Sequence, residues 1–170
     1  GINAQLNDLP TVFFLEETGE IIVETDACDY GIGGVAYQVP ERTDGEMNRN
    51  DRSRPLAFYS LALTPQQYNW PTPKQEAYAM AMVLQAFAYL LSGVRFTVRT
   101  DHKNLKFITE STDRLVMKWR LLLQDMDCRI EYLDGPSNVV ADGLSRMVKV
   151  VAEHEVKWLS HSIYLVDKMI

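Results

Sequence analysis

Apolar residues recur with two different periods along this chain. Ile21–Asp26 reads as a strand after a turn signal at Gly19, and Gly31–Val39 follows as a second strand with small residues at Gly33, Gly34 and Ala36. Pro40–Arg54 is polar and charge-rich with no apolar period, which predicts an exposed loop. Pro55–Ser60 gives a third strand, and the three are expected to form an antiparallel meander. The period then changes. Thr72 is placed to cap a helix, with Pro73 at its first position and Gln75 completing a Thr-x-x-Gln box. Ala77, Met80, Ala81, Leu84, Ala88 and Leu91 continue at helical spacing until Gly93 ends the run. Val94–Thr100 alternates, so strand–helix–strand implies a parallel crossover. Leu115–Met126 reads as an amphipathic helix carrying Trp119, and Cys128–Leu133 as a fifth strand. Asp134-Gly135-Pro136 forms a turn before a last short helix, Val139–Val148, capped by Ser137 or Asn138. Residues after about 148 have no convincing period and are expected to be a packed tail or linker, not a separate domain. The order of elements predicts a mixed α/β sheet with helices packed on it.

The 170 residues suit one domain, and 46% hydrophobic content is enough for a core without staples. The apolar runs are too short to span a bilayer and the N-terminus lacks a basic-then-apolar leader, so no membrane partner is expected. Cys28 and Cys128 have no metal-like spacing, which points to reduced thiols and an intracellular setting. A formal charge of −6 argues against strong autonomous binding to nucleic acid. Against that, Arg99, Lys103, Lys106, Arg114, Lys118 and Arg120 gather in one stretch, either as an ordinary solvated face or as a grip on phosphates.

Four acids stand where an acid is costly. Asp26 and Asp101 end apolar strands, while Glu76 and Asp142 each occupy the fourth position of a helix. Glu76 shares a stripe with Met80, Val83 and Phe87, the side expected to pack. Acids at strand ends are often turn formers, and acids in a first helical turn complement the helix dipole. Neither explanation covers a carboxylate on a packing stripe, where a lone negative charge is penalised. Parallel pairing of the first and fourth strands would bring Asp26 beside Asp101 at the carboxyl edge where α/β sheets gather ligands. Oxygen donors converging there suit two hard divalent cations about 4 Å apart, and hence phosphodiester chemistry.

Five segments carry a resemblance. They are Thr25–Val35 (TDACDYGIGGV), Arg54–Pro65 (RPLAFYSLALTP), Thr72–Ala79 (TPKQEAYA), Phe96–Leu105 (FTVRTDHKNL) and Ile130–Arg146 (IEYLDGPSNVVADGLSR). In this order they are similar to the ribonuclease H domain of gypsy-type LTR-retrotransposon reverse transcriptases, over about residues 10 to 147. The resemblance implies a ribonuclease H-like fold: a five-stranded mixed sheet, three antiparallel strands then two parallel, flanked by α-helices. It places the domain at 1–147, with 1–18 including a remnant of the polymerase connection. It also implies hydrolysis of the RNA strand of RNA–DNA hybrids, with Asp26, Glu76, Asp101 and Asp142 as the catalytic, metal-holding tetrad for two Mg²⁺ ions, Mn²⁺ being a substitute.

Tyr132 stands where cellular relatives carry a loop histidine, and a phenol cannot shuttle a proton near neutral pH as imidazole does; a core strand aromatic is the alternative reading. Substrate contacts are expected from the backbone around Cys28, Gly31 and Gly33, from Lys103 and Asn104, and from Lys118 and Arg120 on the DNA phosphates. His102 adjoins Asp101, but Mg²⁺ prefers oxygen. Cys28 doubles as a small filler where serine is usual, and Gly143 replaces a commoner alanine. The implied partners are an RNA–DNA hybrid, a covalently linked polymerase and integrase in a parent polyprotein, within the cytoplasm or virus-like particles. Two other readings remain open: a catalytically silent module of the same fold, and a different two-metal nuclease cutting DNA.

Overall fold

The computed structural model describes residues 18–40, 54–100, 105–132 and 162–164. Six strands form one sheet: β1 (Glu20–Ala27), β2 (Gly31–Val39), β3 (Arg54–Ala62), β4 (Phe96–Thr100), β5 (Cys128–Tyr132) and β6 (Ser162–Tyr164), in the order β5-β4-β1-β2-β3-β6. β1, β2 and β3 make the expected antiparallel meander, and β4 and β5 run parallel to β1. The three residues of β6 add an antiparallel edge beside β3, within a stretch whose sequence predicts only a tail or linker. The other departures are local. Arg54 starts β3 instead of closing a loop, and the expected last helix, with Asp142, lies outside the described residues, as do 41–53.

Strand alternation sorts side chains onto two faces. On one, Ile21, Val23, Ile32, Ala36, Ala57, Phe96 and Val98 join the main core with helices α2 (Thr72–Ala86) and α5 (Arg114–Gln124). On the other, Val35 and Phe58 form a smaller cluster with Tyr37. Helix α2 packs on β1 and β2, burying Glu76, Met80 and Val83 of the stripe read from sequence. Its approach is close: a methyl placed at Gly34 on β2 would overlap both Val83 methyls and lie 3.0 Å from Val83 Cβ.

The start of α2 differs from expectation. Its first residue is Thr72, preceded by Pro71, and no side chain caps it. Gln75 instead turns back to donate from Nε2 to the carbonyls of Gln67 (3.1 Å) and Tyr68 (3.3 Å). The capping box belongs to a helix the period did not reveal, α1 (Pro65–Tyr68), where Thr64 and Gln67 bond each other's backbone. Four residues are too few for a period to show, whereas the Thr-Pro-x-Gln signature was present in the sequence. Nor does α2 run to Gly93. It ends at Ala86, and Phe87 breaks it from α3 (Ala88–Leu91); Gly93 then takes φ 75°, where only glycine is unstrained.

Helix α5 is capped by Asp113, whose Oδ1 accepts from Leu115 N (2.9 Å) and Val116 N (3.3 Å). The other oxygen meets Lys74 Nζ at 2.6 Å, tying α5 to the first turn of α2, and the same ammonium lies 4.8 Å over the Trp70 ring. Trp70, Tyr78 and Trp119 pack beside this tie in edge-on and tilted contacts. The hydrogen bond from Lys74 holds the Asp113 carboxyl below the usual range, helped by the two helical amides. A depressed carboxylate contributes stability above its unfolded pKa, about 3.9, and loses it as pH falls through the folded value. Asp113→Asn is therefore expected to lower the melting temperature at pH 7 and to flatten its fall on acidification below about pH 4. Thermal melts across pH check this; parallel acid limbs for the two proteins would contradict it.

Candidate active site

Asp26 is the seventh residue of β1 and is 4% exposed. Its Cα partner on β2 is Gly33, and the Cys28 amide donates to the Gly31 carbonyl at 2.9 Å to close the turn between the strands. On its other side β1 pairs in parallel with β4, the register ending at Thr25–Thr100. Asp26 and Asp101 are the next residues in each strand's sequence; Asp101 lies outside the described residues, with His102, Lys103 and Asn104. Glu76 is 5% exposed on the helix that packs against β1. Two of the four predicted acids are thus described, both buried, one on a strand beside its parallel neighbour and one on the helix covering it. Among the described residues no group of three or more His, Cys, Asp or Glu side chains is gathered as a metal site.

The donor chemistry fits a hard cation. Both side chains offer carboxylate oxygens, and full burial of two acids is costly unless positive charge meets them.

The expected basic grip separates into different roles. Lys118 and Arg114 are exposed on α5. Arg120 instead donates from Nη1 to the carbonyls of Ile108 (3.4 Å) and Thr109, fastening α4 (Leu105–Glu110) to α5. Arg99 does not belong to a solvated basic face at all. It stands in register between Glu24 on β1 and Glu131 on β5, its side chain only 16% exposed. Its guanidinium reaches Glu24 Oε1 (4.0 Å) and Glu131 Oε2 (3.4 Å) and donates to the Tyr37 hydroxyl at 3.1 Å. That hydroxyl donates in turn to Glu24 Oε1 at 2.6 Å. Burial works against the Arg99 charge, but Tyr37 and Glu131 outweigh it and its pKa is raised. Burial first, then Glu24, pushes the Tyr37 phenol up. Strand parity was the signal that could have shown this: Glu24, two residues from Asp26, needs a cation on the same face.

Of the remaining expected site residues, Gly31 and Gly33 lie on β2, and Cys28 sits half-buried at the turn after β1. Tyr132 is the last residue of β5, paired with Thr100. Cys28 and Cys128 are thiols not joined in a disulfide.

Residues 16–126 match the family described as the RNase H-like domain found in reverse transcriptase. This chain belongs to that family. The Transposon Tf2-3 polyprotein of Schizosaccharomyces pombe (strain 972 / ATCC 24843) is 30% identical over 145 residues, covering 82% of this chain and 10% of the polyprotein. The chain therefore spans about a tenth of that relative's length. Among solved structures, the foamy viral protease-reverse transcriptase in complex with RNA/DNA hybrid superposes with a TM-score of 0.58 at 14% identity, covering 79% of this chain and 18% of that one. LC11-RNase H1, isolated from compost, superposes with a TM-score of 0.54 at 14% identity, covering 80% of this chain and 99% of that one. At these identities the likeness establishes the fold: the RNase H-like arrangement of β3-β2-β1-β4-β5 with its helices, as the residues predicted.

Proposed function

We propose that this RNase H-like domain hydrolyses the RNA strand of RNA–DNA hybrids during reverse transcription of a gypsy-type retroelement. The observation that carries the reading is the pair of buried carboxylates, Asp26 at the carboxyl end of β1 and Glu76 on the helix packed against it, in a chain of this family. Asp26, Glu76, Asp101 and Asp142 would hold two Mg²⁺ ions, with Mn²⁺ as a substitute. The chemistry such ions supply when bound is polarisation of a water and of the phosphodiester, with neutralisation of charge on the departing 3′ oxygen. Products are then a 5′-phosphate and a 3′-hydroxyl.

The chain's own residues select and orient the substrate. Glu76 also meets the ribose 2′-hydroxyl, the group that separates RNA from DNA. The turn at Cys28–Gly31 and the start of β2 present backbone to the minor groove beside Asp26, and Lys118 on α5 is open to solvent for a DNA phosphate. The chain works as part of a polyprotein carrying polymerase and integrase, inside virus-like particles.

The test is the 170-residue protein on a short end-labelled hybrid in Mg²⁺ or Mn²⁺. The RNA strand alone is expected to be cut, leaving 5′-phosphate ends. With a net charge of −6 the grip is weak, and cleavage is expected to decline as salt rises from about 50 to 200 mM. A cut DNA strand would indicate the other two-metal nuclease reading, and no cut in either ion would indicate a silent module.

A further inference from the structure

Glu24, Arg99 and Glu131 are Cα partners across three adjacent strands, so one row of the sheet reads negative, positive, negative. Tyr37 from β2 joins the row by bonding both Glu24 and Arg99. The row therefore links β2, β1, β4 and β5 through side chains, on the face opposite the main core. Glu24 lies two residues before Asp26 on β1, so both side chains leave the same face. Arg99 precedes Asp101 by two residues in sequence. A further bond, from Thr97 Oγ1 to Glu20 Oε1 at 2.8 Å, fastens β4 to β1 one row further back on that face. A buried Glu24 and a largely covered Arg99 are an expensive way to hold strands that already share a backbone ladder, and an apolar pair would serve packing as well.

We infer that Arg99, held by Glu24, Tyr37 and Glu131, is a positioning residue that locks β4 against β1 so that the acids ending these strands meet a cation in a preformed arrangement. The inference rests on the proposed function and assigns it residues beyond the four acids. Arg99 acts from behind, through the strands, and as a fixed positive charge it also lowers the repulsion among the carboxylates ahead of it.

Single removal of Arg99 would strand Glu24 as a buried charge, so the informative variant is Glu24→Gln/Arg99→Met, which removes both charges together. Neutral replacement of a buried pair is close to neutral for stability, and the double variant is expected to melt near the wild type without metal. The Mg²⁺ concentration that half-saturates its metal-induced rise in melting temperature is expected to increase about tenfold, the scale on which outer partners act on metal affinity. Its kcat on the hybrid is expected to fall while KM stays unchanged. Tyr37→Phe, which deletes one hydroxyl and no charge, is expected to shift the Mg²⁺ midpoint in the same direction. Variants that fold and keep the wild-type midpoint and kcat would overturn the inference, leaving the row purely structural. A wild type with neither a Mg²⁺-dependent melting shift nor cleavage would instead overturn the proposed function, and the inference with it.

Discussion

Asp26→Asn is expected to remove hybrid cleavage, by at least about a hundredfold, while the protein stays folded. The lower bound follows because loss of a partner merely supporting a metal ligand already costs about 10–100-fold, and Asp26 is proposed as a ligand itself. The amide keeps the size of the carboxylate, so β1, paired on both sides up to this residue, has no packing reason to yield. Without metal the variant is expected to melt at or above the wild-type temperature, because one of several crowded like charges has gone. With Mg²⁺ the order reverses, since only the wild type gains stability from the ion. Melting curves with and without Mg²⁺, beside a cleavage gel, read both effects. Wild-type turnover by the Asn protein would refute the site.

Gly34→Ala is expected to destabilise the domain by about 1–3 kcal/mol. The new methyl would fall on the side chain of Val83, which is β-branched, fully buried and hence unable to swing aside. Relief requires α2 to lift from β2, and α2 carries Glu76. Loss of stability should therefore come with loss of cleavage. At about 2–4 °C per kcal/mol for a domain of this size, the melting shift is readily measured. Val83→Ala costs stability alone by leaving a cavity, yet it is expected to restore part of what Gly34→Ala loses. Strict additivity of the two changes would show that the close approach of helix and sheet is not the cause.

How far the fold was legible depended on how each element is stabilised. α2 announces itself because burial of one face imposes a period, which places Glu76 on the packed side; β1 and β2, buried on both faces, are legible instead as short runs bounded by turn signals. α1 and α4, at four and six residues, are too short to carry a period. The break at Phe87 was not visible either: Phe87 is fully buried in the core, and packing overrides a run that continues smoothly by composition. β6 is three residues whose ladder bonds all go to β3, about a hundred residues earlier, so nothing local marks it.

The candidate site divides in the same way. The two described acids were found from sequence because a carboxylate on an apolar stripe or strand contradicts its surroundings, and the contradiction is local. Arg99 was misplaced because charge density along the chain made it one of six basic residues, a sum that ignores which way each side chain points.

By itself, the order of residues determined the strands and main helices, their mixed arrangement, the family, and Asp26 and Glu76 as acids in apolar settings. Those properties are written in periods and short motifs, which act over a few residues. Only the tertiary structure decided that Arg99 faces Glu24 and Glu131, that Lys74 holds the cap of α5, and that Gly34 admits Val83. Each is a partnership between residues distant in sequence, fixed by strand register and by the seating of a helix on the sheet. No local preference encodes which of many compatible partners will arrive.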